Sequence, residues 1–174
     1  MALHRGMKLE SIEMLTSERL KELLTYDPIT GLFRWRIDRG RLAKAGQVAG
    51  SPTPDLRTRI KIDGNLYLLH RLAFLYMTGA FPPDMVDHAN GDPSDNRWCN
   101  LRPANRSQNM ANRGVSISSR IGVKGVSAHG KRFRTEIRAN GKRSHIGVFD
   151  TVAEAKAAYD NAANLLHGPF ARSA

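Results

Sequence analysis

The chain has 174 residues, 25% of them charged, with 27 Lys and Arg against 16 Asp and Glu, a formal net charge of +11 and a pI near 10.4. That length suits one moderate domain or two small ones, and the basic excess points to a polyanionic partner. No apolar run reaches membrane-spanning length, charged residues from Lys8 to Glu22 interrupt any signal-peptide core, and the single cysteine excludes an internal disulfide or a thiol-built zinc site, so a cytoplasmic protein that binds no membrane is expected.

Along the chain, Ser17 to Thr25 reads as a short amphipathic helix carrying Leu20, Leu23 and Leu24. Tyr26 to Gly31 reads as a turn and Leu32 to Arg36 as a short strand. Arg57 to Ile62 and Asn65 to Leu69, joined at Asp63-Gly64, predict a hairpin. A helix from His70 to Tyr76 follows, burying Leu72, Ala73 and Leu75. Arg34, Arg36, Arg39 and Arg41 are available to phosphates, and Arg71 is a candidate DNA contact. His70 is either a partly buried structural residue or a second such contact.

The run Val86 to Asn109 is too polar and turn-rich for a core element. It holds Asp87-His88, then Asn100, then Asn109. Carboxylate and amide oxygens suit a divalent cation, and histidine is a base of near-neutral pKa. Turn formers from Gly91 to Asn96 make Met85 to Leu101 a hairpin with a long loop, and Pro103 suits the start of a helix through Ala111. Such a hairpin and helix bring Asp87 and Asn109 to one cleft. Cys99 is expected to pack as a small apolar residue.

In Asp87-His88, Asn90-Gly-Asp92, Asn96-Arg-Trp98, Asn100-Leu-Arg-Pro-Ala104 and Ser107-Gln-Asn109 this run resembles the HNH endonucleases, particularly the branch found in phage and intron-encoded homing enzymes. The resemblance implies a ββα-metal site. His88 would be the general base and Asn100 would orient it across the hairpin. Asp87 and Asn109 would be the metal ligands, for Mg²⁺ or another divalent ion such as Mn²⁺. It also implies products with 5′-phosphate and 3′-hydroxyl ends. The N-terminal Tyr26-Asp-Pro-Ile-Thr-Gly31 and His70-Arg-Leu-Ala73 are similar to segments of related phage proteins.

After Asn112-Arg113-Gly114 the pattern changes. Gly122 to Ser127 reads as a strand. Arg132 to Ala139 alternates, with Phe133, Thr135 and Ile137 on one face and Arg134, Glu136 and Arg138 on the other. Asn140-Gly141 is a strong hairpin signal. Lys142 to Phe149 continues the alternation, placing Ser144, Ile146 and Val148 opposite Arg143, His145 and Gly147. A helix from Val152 to Leu166, capped at Asp150 or Thr151, covers the apolar face. Three antiparallel strands with cations on one face suit the DNA major groove.

From Ser119 to Ala171 this region resembles the ethylene-response-factor DNA-binding domain of the AP-two family, through Gly122-Val-Lys-Gly-Val126, Glu136-Ile-Arg138, Gly147-Val-Phe-Asp150 and Glu154-Ala-Lys-Ala-Ala-Tyr-Asp160. The resemblance implies DNA contacts from Lys124, Glu136, Arg138, Arg143 and His145, with Arg134 added by strand alternation. Ser127 and His145 depart from the plant pattern, so a plant target sequence does not carry over.

The expectation is an α+β chain in two parts: residues 1–114 with a ββα core at about 84–112, a linker at 115–119, and a DNA-binding part at 120–174. By its resemblance it would be a metal-dependent endonuclease nicking one strand of duplex DNA per site, as a monomer or a dimer. The alternative is a DNA-binding regulatory or architectural protein with an inert nuclease domain.

Overall fold

A computed structural model describes residues 15–41 and 43–172. Helix α1 (Ser17–Leu23) opens at Thr16, whose hydroxyl accepts from Arg19 N at 3.1 Å, and buries Leu20 and Leu23. It stops short of the expected Thr25. Leu24 takes extended backbone, and β1 (Leu24–Asp27) pairs antiparallel with β2 (Leu32–Trp35). The β-branched and aromatic Thr25 and Tyr26 favour a pleated strand once a partner lies beside them. The turn shrinks to residues 28–31, tied by Ile29 N and the Thr30 hydroxyl donating to the Asp27 carboxylate at 2.9 and 2.7 Å. Arg41, the last residue of the described segment, is exposed, and residues 1–14, which include Lys8, lie outside the described residues.

Strands β3 (Ser51–Pro52), β4 (Thr58–Ile62) and β5 (Asn65–Leu68) form a second sheet, with Asp63-Gly64 at the tip of the β4–β5 hairpin. Helix α2 (Leu69–Thr78) follows directly and buries Leu69, Leu72, Ala73, Phe74 and Leu75. These pack with Leu20, Leu24, Phe33 and Ile62 into one core that reaches Val86 and Leu101. That core is the platform under the polar hairpin.

The hairpin is β6 (Met85–His88) against β7 (Leu101–Ala104), followed by α3 (Arg106–Ala111). Pro103 is not the helix start. It sits in β7 opposite Val86, which a two-stranded ribbon tolerates because a proline without an N–H can stand on a free edge. Asn105 caps instead, in a reciprocal box with Gln108 (2.8 and 2.9 Å). Cys99 is exposed rather than packed. The 3-10 turn Trp98–Asn100 seats Trp98 against Phe74 and buries Asn100, leaving Cys99 outward.

Beyond it, β8 (Val126–His129), β9 (Arg132–Ala139) and β10 (Lys142–Phe149) form a sheet of order β10-β9-β8, covered by α4 (Val152–His167). The first strand begins at Val126, not Gly122, because the preceding residues are turns that send Gly125 O to Glu136 N at 2.8 Å. Thr135 and Ile137 are buried, and Thr151 with Glu154 forms the capping box of α4. The expected alternation of β10 breaks at a bulge between His145 and Gly147. Ile146 is the extra residue and packs with Ile137 and Tyr159, so Gly147 pairs with Thr135 and Val148 with Arg134, the reverse of the simple pattern. No described helix is long and apolar enough to cross a membrane.

Candidate active site

The hairpin carries an unusual load of buried polarity: Asp87, His88, Asn96, Asn100 and Asn112 are all buried. Each must find a partner or destabilise the fold. Strand alternation does not separate Asp87 from His88 here, because the core covers one side of β6 and α3 the other.

His88 Nε2 lies 3.3 Å from Asn96 Oδ1. The Asn96 amide nitrogen donates to Ser94 O at 3.3 Å, so Oδ1 is the group turned to the ring and Nε2–H must donate to it. The lone pair then resides on Nδ1, as a base requires. Burial lowers the His88 pKa, opposed by the Asn96 bond and the Asp87 charge. The ring is neutral at neutral pH. His70 stands against it edge-to-face, centroids 5.2 Å apart, and is itself pushed down from 6.5 to about 3, by burial first and by His88 second. Of the two readings of His70, the structure has the buried one.

The loop is braced from two sides. Asn100 Oδ1 accepts from Asn90 N at 2.9 Å, its Nδ2 donates to Asp95 O at 2.8 Å, and its carbonyl accepts from Ala89 N at 2.8 Å. Asn100 therefore shapes the loop around His88, while the ring's own hydrogen bond comes from Asn96. From below, Tyr26 donates to Asn96 O at 2.7 Å and Pro28 O accepts from Trp98 N at 3.0 Å. Gly31 (φ +74°) lies so close that a Cβ would fall 2.5 Å from Arg97 N and from Asn96 C, and only glycine satisfies both conditions. The N-terminal Tyr-Asp-Pro-Ile-Thr-Gly segment is thus the support for Asn96.

Asp87 is held by Arg102, directly opposite in the register, with Nε donating to Oδ2 at 2.8 Å. Asn112, the C-cap of α3, places Nδ2 3.0 Å from each carboxylate oxygen and 2.6 Å from His88 O. Asn109, one turn earlier, contacts Met85 Sδ through its amide nitrogen at 3.5 Å. Asp87, His88 and Asn109 all line one cleft of about 360 Å³, with Arg57, Arg106 and Arg113 among its walls. A carboxylate and an amide oxygen suit a hard cation that keeps waters and takes substrate oxygens as further ligands. Among the described residues no cluster of three or more His, Cys, Asp or Glu could hold a metal. Sequence reasoning missed Asn96, Asn112, Arg102 and Arg57. Asn96 and Arg102 lie inside quoted motifs, and Asn112 follows Asn109 by the three-residue step that shares a helix face.

The remaining candidates divide. Arg134, Glu136 and Arg138 lie on the exposed face of β9, opposite Val148, His145 and Arg143 of β10. Arg143 reaches Glu136 at 3.6 Å and Arg134 reaches His129 Nδ1 at 3.2 Å. Lys124 is not on that face. It turns inward, bonded to Ala111 O and, at 2.7 Å, to Arg113 O at the end of α3, and burial lowers its pKa. Arg71 is folded into its own corner, Nη1 donating to Asp84 O at 2.7 Å. A groove of about 700 Å³ between α3 and the sheet is lined by Arg106, Lys124 and Arg138, and Asn140 N donates to Ser107 Oγ across it at 2.9 Å.

Residues 67–111 match the family model described as HNH endonuclease, so the chain carries an HNH nuclease domain there. A solved structure of DNA binding and cleavage by the HNH homing endonuclease I-HmuI aligns over 71% of this chain and 71% of that one, at 21% identity and a TM-score of 0.40. No curated protein matches.

Proposed function

We propose that this HNH nuclease is a metal-dependent endonuclease that hydrolyses phosphodiesters of duplex DNA, nicking one strand per site and gripping the duplex through its C-terminal sheet. The observation that carries it is the pairing, at one cleft, of a buried neutral His88 whose Nε2 is committed to Asn96 with the oxygen donors Asp87 and Asn109. A bound divalent ion, Mg²⁺ or Mn²⁺, would be held by Asp87 and Asn109 and would stabilise the charge that develops on the phosphoryl and leaving oxygens.

The protein's own residues do the rest. His88 takes a proton from water at Nδ1, with the charge on its ring shared by the Asn96 oxygen and offset by Asp87. Asn96 holds the tautomer, and Asn100 holds the loop that carries Asn96. Arg57, Arg106 and Arg113 line the cleft as guanidinium donors for phosphate oxygens. Arg106 also faces the groove that leads to Arg138, a cationic path from the cleft toward the sheet. On the sheet, Arg134, Arg138, Arg143 and His145 are the proposed DNA contacts, with Glu136 among them and with the AP-two-like fold as the proposed relative of this part.

The test is nicking of supercoiled plasmid with Mg²⁺, with and without chelator, beside His88→Ala. Metal-dependent nicking that the substitution removes is the expected result. Intact plasmid with a clear gel shift overturns the nuclease reading in favour of a DNA-binding protein.

A further inference from the structure

The hairpin does not close its own polar interior. Arg102 spends Nε on Asp87 Oδ2 at 2.8 Å, and Nη2 lies 2.7 Å from the same oxygen though off the angle of a hydrogen bond. Its other terminal nitrogen, Nη1, donates to the carbonyl of Pro169 at 2.8 Å. The guanidinium carbon lies 3.9 Å from the centroid of the Phe170 ring. Pro169 and Phe170 belong to the 3-10 turn Gly168–Phe170 that follows α4, far along the chain from Arg102. Two residues on, Arg172 closes on the loop after His88: a Cβ at Gly91 would fall 1.5 Å from Arg172 Nη1. The segment 169–172 therefore touches both sides of the site, β7 through Arg102 and the loop through Gly91.

A carboxylate offers about four lone-pair directions. Arg102 takes Oδ2, and Asn112 lies between the two oxygens. The open direction is on Oδ1. A planar guanidinium stacked on a ring and bonded at both ends is fixed in a way that a lysine ammonium is not.

We propose that Arg102 is a positioning residue that presents Asp87 to the metal through Oδ1 alone, and that the turn Pro169–Phe170 is the clamp that holds Arg102. The C-terminal part then shapes the nuclease centre as well as gripping DNA. This rests on the metal-dependent nuclease reading above.

The experiment compares full-length wild type with Phe170→Leu, Phe170→Trp and Arg102→Lys. Three quantities are read: nicking at saturating plasmid, Mn²⁺ binding to the free protein by electron paramagnetic resonance, and the DNA gel shift in chelator. Phe170→Leu and Arg102→Lys should lower the saturated nicking rate by about tenfold and move the Mn²⁺ midpoint, since small misplacements of reacting groups carry such losses. The gel shift should not change, and Phe170→Trp, which keeps the aromatic face, should behave as wild type. Phe170→Leu with wild-type nicking and an unmoved Mn²⁺ midpoint makes the turn mere packing and overturns the proposal. Loss of nicking in step with loss of the gel shift assigns the turn to the DNA grip, which also overturns it. Should Phe170→Leu misfold, Arg102→Lys decides by the same readings. A wild type that neither nicks nor binds Mn²⁺ ends the nuclease reading and this proposal with it, whereas wild-type behaviour of the variants ends only the proposal.

Discussion

Two units of this chain are built from the same parts and use them oppositely. β6, β7 and α3 form an antiparallel ribbon with a helix, and so do β8, β9, β10 and α4. In the first, charge is taken inside: the Asp87 side chain is 5% exposed and makes its bonds to Arg102 and Asn112. In the second, charge is left outside: the Arg143 side chain is 68% exposed and reaches Glu136 only at 3.6 Å. A buried network fixes groups to a fraction of an ångström because each unmet partner costs free energy. An exposed array fixes little, but it attracts phosphate over long distances and yields to salt.

The contrast can be broken most decisively at His88. His88→Ala should reduce nicking by roughly 10²–10⁴-fold, the usual contribution of a general base, with the gel shift retained. Equal loss of both would mean the hairpin serves binding. The converse substitution is on the sheet. Arg138→Ala with Arg143→Ala should weaken DNA binding and lower the slope of log K against log salt by about 2, while the nicking rate at saturating DNA is kept. An unchanged slope would remove the sheet from the interface.

Acid should also act on the buried side of this contrast, through His70 of α2, whose ring stands against His88. His70 has a folded pKa of about 3 against an ordinary 6.5, so the unfolded chain binds the extra proton. Its contribution is fully present above pH 6.5 and is lost as pH falls toward 3, by at most about 1.4 kcal/mol per pH unit. Denaturant melts of wild type and His70→Gln between pH 7 and 4 should converge on acidification. Parallel curves would place the acid sensitivity elsewhere.

Asn112→Ala should cost about 1–3 kcal/mol, since it leaves Asp87 and the His88 carbonyl short of a donor in a buried place. Far from the site, Thr151→Ala removes one capping bond of α4 and should cost about 1 kcal/mol in a thermal melt with nicking unaltered. A nicking defect there would tie the helix to the nuclease centre more tightly than the clamp alone requires.

Much of this was legible from residue pattern. The hairpins at Asp63-Gly64 and Asn140-Gly141, the strand Arg132 to Ala139 and the α4 capping box are local features, and local chemistry specifies them. Pairing partners were not legible. Leu24 and Thr25 read as the end of a helix, and Tyr26 and Asp27 as a turn, until β2 lies beside them, and Pro103 reads as a helix start until Val86 stands opposite. The bulge at Ile146 reverses the face of Gly147 and Val148, because a period-2 reading carries no mark of one inserted residue.

For the site, the sequence by itself determined the chemical types: a histidine next to a carboxylate, amides at set distances, and a basic balance suited to a polyanion. Only the tertiary structure decided which amide meets which group. Asn96 rather than Asn100 holds the His88 ring, Asn112 bonds Asp87 while Asn109 lines the same cleft, Lys124 leaves the sheet for the end of α3, and Pro169 and Phe170 reach Arg102 from the far end of the chain. The reason is physical. A motif fixes spacing along the backbone, whereas a buried polar group accepts whatever partner the packing of distant segments brings within about 3 Å, and that choice is written in the fold as a whole.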